Sequence, residues 1–130
     1  MNSILKAQLQ FLTKLKASGR SEFPFDDGTT VGEVRSYLLN QMSYLQDEFR
    51  EIVETLPNPP TRLVNKPWRT GYQEVVDQKF VPTDEVKSEA IDFLCFSLNV
   101  CLACGITPEN FEDEFFTVNR KVNDRLDIDY

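Results

Sequence analysis

The sequence predicts an all-α protein, a helical bundle of about five helices. Three observations carry this: apolar residues recur at three- and four-residue intervals along most of the chain, threonine caps and glycine stops bracket those stretches, and no run alternates polar with apolar residues as a strand would. At 130 residues the chain is expected to form one domain, 1–130, long enough to bury a single sizeable core.

The first helix is expected over residues 3–17, where Leu5, Leu9 and Leu12 share a stripe with Ile4, Phe11 and Leu15, and Ser18-Gly19 ends it. Residues 20–29 hold Pro24, Asp26, Asp27 and Gly28, a loop signature, with Phe23 and Phe25 tucked inward. Thr30 followed by Glu33 is a capping box. A second, long helix should start there and run through Val34, Leu38, Leu45, Phe49 and Ile52 to Leu56. Residues 57–67 contain four prolines and exclude regular helix. The segment KPWRTGYQEVVDQKF then spaces Trp68, Tyr72, Val75, Val76 and Phe80 like a short helix, weakened by Gly71.

A fourth helix is organised around SEAIDFLCFSLNVCLACG. Thr83 is its N-cap, Asp84 and Glu85 occupy the first turn where the helix dipole favours anions, and Gly105 stops it. From Ala90 to Cys104 only Asp92, Ser97 and Asn99 interrupt the apolar run, the pattern of a helix enclosed on nearly all sides, so Asp92 is expected to be buried. A last helix should be capped by Thr107, begin at Pro108, and turn Phe111, Phe115, Val118 and Val122 to the core.

Composition narrows the function classes. A net charge of −7 disfavours binding along a nucleic acid backbone, which calls for a basic patch. The absence of histidine removes every mechanism that needs an imidazole base or ligand. Cys95, Cys101 and Cys104 lie on or beside the apolar helix, and an odd count there suits reduced thiols packed in a core rather than a disulfide framework or a zinc site. No stretch reaches the roughly 20 apolar residues of a membrane span, and nothing at the start reads as a signal peptide. A soluble, cytoplasmic protein is expected.

Chemistry is carried by carboxylates. Glu48 and Glu51 lie three apart in QDEFREIVE, with Glu48 beside Leu45 and Ile52 at the edge of the apolar stripe, and Glu89 and Asp92 repeat that spacing on the fourth helix. Residues three apart share a helix face, so two helices each offer an acidic pair close to buried surface. A solvated acidic face with Arg50 as partner is the plain alternative for the first pair. Four carboxylates can converge only around positive charge, because like charges a few ångströms apart raise one another's pKa. Mg²⁺ accepts all-oxygen ligands and shares its shell with substrate phosphates, and one or two such ions can clamp a triphosphate and activate water for attack on phosphorus. Without histidine, the general base must be a carboxylate or a metal-bound hydroxide, and Glu48 is the natural candidate. Lys66, Arg69, Arg120, Lys121 and Arg125 are the cations available to a phosphate.

ExxE on one helix (Glu48, Glu51) followed by ExxD on a later one (Glu89, Asp92) resembles the all-α nucleoside triphosphate pyrophosphatases. Within them, the DEFRE wording, the KPWRTGY segment and the ending NRKVNDRLDIDY resemble the dimeric dUTPase branch with its T-even phage members. The resemblance covers roughly residues 40–130. It implies hydrolysis of a deoxynucleoside triphosphate, dCTP or dUTP or both, between the α and β phosphates, releasing the monophosphate and pyrophosphate with Mg²⁺. Glu48, Glu51, Glu89 and Asp92 would be the metal ligands and catalytic carboxylates, and Glu48 would also orient the attacking water. Lys66, Trp68, Arg69, Asn119, Arg120 and Arg125 would contact the substrate, and a glutamine of the first helix, Gln8 or Gln10, would meet the base. A homodimer, or a tetramer, is implied as well. The C-terminal pattern departs from the family at Val118, Val122 and Leu126, which replace lysine, asparagine and glutamine, and Asn123 is displaced by one position. That departure motivates the alternative of a homologue that binds a nucleotide or a protein without cleaving it.

Overall fold

The computed structural model describes residues 2–57 and 64–128. Among them are five α-helices and no strand: α1 Asn2–Ala17, α2 Val31–Glu54, α3 Tyr72–Val76, α4 Asp84–Ala103 and α5 Phe111–Ile128. The all-α expectation holds. Most of the proline-rich connection and the terminal Tyr130 lie outside the described residues.

The punctuation read from the sequence works as local chemistry. The Thr30 hydroxyl accepts the Glu33 amide at 3.1 Å, and Thr83 accepts that of Val86 at 3.1 Å, satisfying donors that the first turn of a helix leaves free. Gly105, at φ 97, ends α4: its amide reaches the Leu102 carbonyl at 3.1 Å and the Ile106 amide reaches back to Cys101 at 3.1 Å. The two bonds together satisfy carbonyls left over by the last turn, and they require a left-handed residue at that point. Gly19 does the same for α1, with its amide on the Lys16 carbonyl at 3.0 Å and that of Arg20 on Leu15 at 2.8 Å.

Three boundaries differ from expectation. α2 ends at Glu54, where the Thr55 hydroxyl donates to the Ile52 carbonyl at 2.6 Å and the chain tightens toward the prolines. α5 begins at Phe111 because Thr107 and Asn110 cap each other across a separate turn, the Asn110 amide on the Thr107 hydroxyl at 3.2 Å and the Thr107 amide on Asn110 Oδ1 at 2.7 Å. Of the short helix expected over KPWRTGYQEVVDQKF, Tyr72–Val76 form α3, and the part before it is not helical. Residues 66–72 instead form two consecutive turns, closed by the Arg69 amide on the Lys66 carbonyl at 3.0 Å and the Tyr72 amide on Arg69 at 3.1 Å. Proline inside the first turn and glycine inside the second favour turns over a continuous helix.

The chain divides into two compact units, residues 1–38 with 98–130, and residues 39–97. The first is centred on Leu5, Leu12, Phe23, Tyr37, Leu98 and Leu102, with Leu9, Leu15, Phe25, Ala103, Ile106 and Phe111 packed around them. Phe23, Phe25 and Tyr37 meet as a trio with ring centroids 5.1, 5.9 and 5.5 Å apart, so both loop phenylalanines do turn inward. Leu5 is completely buried, and truncating it to alanine is expected to cost about 2–5 kcal/mol. Of the four α5 residues assigned to the core only Phe111 reaches it. Phe115, Val118 and Val122 are exposed, Phe115 by 54%, because the helix leaves this core after its first turn.

In the second unit α2 meets α4 through Tyr44 on Phe96, centroids 5.4 Å apart, and Phe49 on Phe93, 6.0 Å apart. Residue numbers rise along one helix as they fall along the other, so the pair is antiparallel. α4 here is less enclosed than its composition suggests: Ile91 is 57% exposed and Asp92 is exposed too. The expectation of a buried Asp92 is therefore corrected. The apolar run is continuous in sequence, but Ile91 lies away from the strip of α4 that carries Phe93 and Phe96 against α2, and Asp92 lies at its edge.

Candidate active site

Helix periodicity places the acids beside the ring contacts. Glu48 follows Tyr44 by four residues, while Glu89 and Asp92 precede Phe93 and Phe96 by four, so each carboxylate stands one turn from a ring that joins the helices. Carboxylate oxygens of Glu48, Glu89 and Asp92 all lie within 4.8 Å of one another. Glu51 comes within hydrogen-bonding reach of both Glu48 and Glu89. The two acidic pairs read from the sequence thus converge.

Electrostatics make the cluster costly as it stands. Loss of solvent, then the charge and contact of Glu51, then the charges of Asp92 and Glu89 push the Glu48 carboxyl up from 4.5 to about 6. Glu89 is raised for the same reasons, desolvation first and then Glu51, Asp92 and Glu85. One oxygen of Glu48 and one of Glu89, Oε2 in each, is shut off from solvent without a hydrogen-bond partner. A carboxylate oxygen held out of water normally finds a donor or a cation. Arg50, the expected partner, bonds to Asp47 and Glu54 at 2.7 Å each. Arg50 lies two residues from Glu48, nearly on the opposite side of the helix, so its charge is spent on Asp47 and Glu54 and not on the Glu48 carboxylate. The donor set is all oxygen, acidic and partly dehydrated, and it fits a hard divalent cation such as Mg²⁺.

The other site expectations meet varied surroundings. Lys66 is half-buried, whereas Trp68 and Arg69 are exposed on the double turn, Trp68 by 75%. Gln8 is half-buried and donates from Nε2 to Asn99 Oδ1 at 2.7 Å. Gln10 is exposed at the rim of an apolar cavity of about 600 Å³ between α1 and the end of α4, floored by Leu9, Phe23, Leu102 and Ile106. Arg120 and Arg125 are exposed on α5, where Asn119 accepts from Asn123 at 3.1 Å. The buried amide of Asn99 was legible only as an interruption of an apolar run, and its partner on α1 was not. Nothing in the sequence signals the bond from the Tyr72 hydroxyl to Asn65 Oδ1, 3.0 Å long, which spans the double turn.

The thiols play no part in this constellation. Cys95 and Cys101 are half-buried and Cys104 is exposed, so the expectation of three core cysteines holds in part. Burial pushes the Cys95 and Cys101 thiols up, away from reactive thiolate. No helix among the described residues is long and apolar enough to cross a membrane.

Comparison with known proteins adds an independent line. The chain is 32% identical over 115 residues to a dCTP pyrophosphatase of Enterobacteria phage LZ5, across 81% of this chain and 67% of that protein. It is 28% identical over 111 residues to a dCTP pyrophosphatase of Enterobacteria phage T4, across 78% of this chain and 65% of that protein. A DNA replication protein of phage T4 is 27% identical over 103 residues, 72% of this chain but 26% of its own length. The chain therefore spans about two thirds of the length of the two pyrophosphatases. No family model matches it, and no solved structure does.

Proposed function

As the chain belongs to the phage dCTP pyrophosphatase family, we propose that it is a nucleoside triphosphate pyrophosphatase that hydrolyses dCTP, dUTP or both to the monophosphate and pyrophosphate, with Mg²⁺ as cofactor. The observation that carries the reading is the convergence of Glu48, Glu89 and Asp92 within 4.8 Å with two carboxylate oxygens left without a donor. Such crowding serves no purpose in folding, since it destabilises the charged cluster.

In this reading Glu48, Glu51, Glu89 and Asp92 hold the ion and are the catalytic carboxylates. Bound Mg²⁺ supplies the positive charge that a triphosphate tail and its leaving group need. Glu48 orients the attacking water and takes its proton. Lys66 and Arg69 neutralise phosphate oxygens, and Trp68 offers a ring face to the base. Gln8 on α1 and Asn119, Arg120 and Arg125 on α5 are proposed as further substrate contacts on the strength of the family resemblance. The working form is a homodimer, or a tetramer, in which exposed apolar residues of α4 and α5 are covered; nucleic acid and membrane are not partners.

The deciding experiment is a panel of deoxynucleoside triphosphates with and without Mg²⁺, following monophosphate and pyrophosphate. Pyrophosphate release from dCTP or dUTP that stops on chelation is expected. Tight nucleotide binding with no product over hours would instead favour the non-cleaving homologue suggested by Val118, Val122 and Leu126.

A further inference from the structure

Trp68 is the only tryptophan of the chain, and it stands 75% exposed. A ring of that size left in water forgoes more burial than any other side chain. Its mounting is built with care. Pro67 presets the first turn, Lys66 to Arg69. Gly71, at φ 83 and ψ −7, matches the third residue of a type II turn, where a positive φ is required. Tyr72 is 9% exposed and sends its hydroxyl back to Asn65 Oδ1 at 3.0 Å, tying the two ends of the double turn together. The result is a tied loop that displays an indole with a cation on either side of it in sequence, Lys66 and Arg69. Sequence-tolerant stacking on an anionic aromatic ligand asks for that combination.

We propose that Tyr72 and Asn65 are positioning residues whose hydrogen bond holds the Lys66–Tyr72 double turn so that Trp68 presents its face to the nucleobase. This rests on the reading of the chain as a nucleotide pyrophosphatase. Without the bond the loop samples other shapes, and the ring must be ordered again each time a nucleotide binds. The loss then falls on binding and not on the chemical step.

Because Trp68 is the sole tryptophan, its fluorescence reads the loop directly. In wild-type protein dCTP, with Ca²⁺ in place of Mg²⁺ to slow turnover, is expected to quench the emission. Tyr72→Phe keeps the buried ring and removes only the hydroxyl; Asn65→Ala removes the acceptor; Asn65→Asp keeps an oxygen there. Each is checked for helicity by circular dichroism. Lower Trp68 anisotropy in the unliganded Tyr72→Phe and Asn65→Ala variants is expected, with wild-type anisotropy in Asn65→Asp. KM for dCTP should rise about fivefold in Tyr72→Phe, the worth of one hydrogen bond, with kcat within about twofold of wild type. Unchanged anisotropy and KM in both loss variants, in an enzyme that cleaves dCTP, overturns the clasp and leaves the pyrophosphatase reading standing. If the wild type neither cleaves nor is quenched by any nucleotide, that reading falls and takes the platform with it. Emission that ignores nucleotide but changes with protein concentration would assign Trp68 to a contact between copies and overturn the proposal.

Discussion

Glu48 on α2 and Glu89 on α4 bring carboxylate oxygens within 4.8 Å of each other, each with its Oε2 closed off from solvent and from any donor. Two carboxylates in that relationship repel, and the cost is borne by the folded protein. Removing either charge relieves the fold and removes a ligand, so stability and activity should respond in opposite directions.

Glu48→Gln, Glu51→Gln and Asp92→Asn are each expected to lose at least about 100-fold in turnover of dCTP. Circular dichroism should show unchanged helicity, and the metal-free melting temperature of Glu48→Gln should equal or exceed that of wild type. Wild-type turnover in Glu51→Gln or Asp92→Asn would remove those residues from the site.

The same crowding sets a pH dependence in metal-free protein. Glu48 holds its proton up to about pH 6 when folded, against 4.5 as the ordinary value. Between those limits the folded form binds more protons than the unfolded chain, so stability falls as pH rises through the window. The penalty is absent below 4.5 and fully present above about 6, and Glu89 adds to it in the same direction. Thermal melts from pH 4 to 7 with a chelator should show this slope, and Glu48→Gln should flatten it.

Gly105 sits at φ 97 with open space where a side chain would go. Gly105→Ala should therefore cost only the left-handed backbone penalty, about 1 kcal/mol, a fall of about 3–5 °C in Tm. A drop several times larger would point to a neighbour that the open space conceals.

Ile91 on α4 and Phe115 on α5 are more than half exposed, and runs of such residues mark surfaces that work covered. Sedimentation velocity at micromolar concentration is expected to give at least twice the 15.0 kDa of one chain. A single monomeric species would count against the assembly proposed here.

The helices and acidic pairs were legible in the sequence because both depend on short-range spacing. Thr30 with Glu33, Thr83 with Val86 and the glycine stop at Gly105 act over a single turn, and residues three apart must share a helix face. Asp92 was misread, since the apolar run is continuous in sequence whereas Asp92 lies at the edge of the strip of α4 that meets α2. The short helix expected over KPWRTGYQEVVDQKF forms only from Tyr72 to Val76, for a different reason. Its aromatic spacing is helical, but Pro67 and Gly71 dominate the local backbone, and the tie from Tyr72 to Asn65 forms only once both turns are in place. Gln8 with Asn99 was hidden in the same way, by a distance of 91 residues along the chain.

The ring pairs Tyr44–Phe96 and Phe49–Phe93 flank the carboxylates, so one axial register governs both. Sliding α2 along α4 would pull the rings apart and scatter the acids together. Whatever neutralises the acids should accordingly act as a lock on that register. Backbone amides along both helices, mid-length ones above all, should trade their hydrogens for deuterium more slowly once a divalent ion is added, even with no nucleotide present.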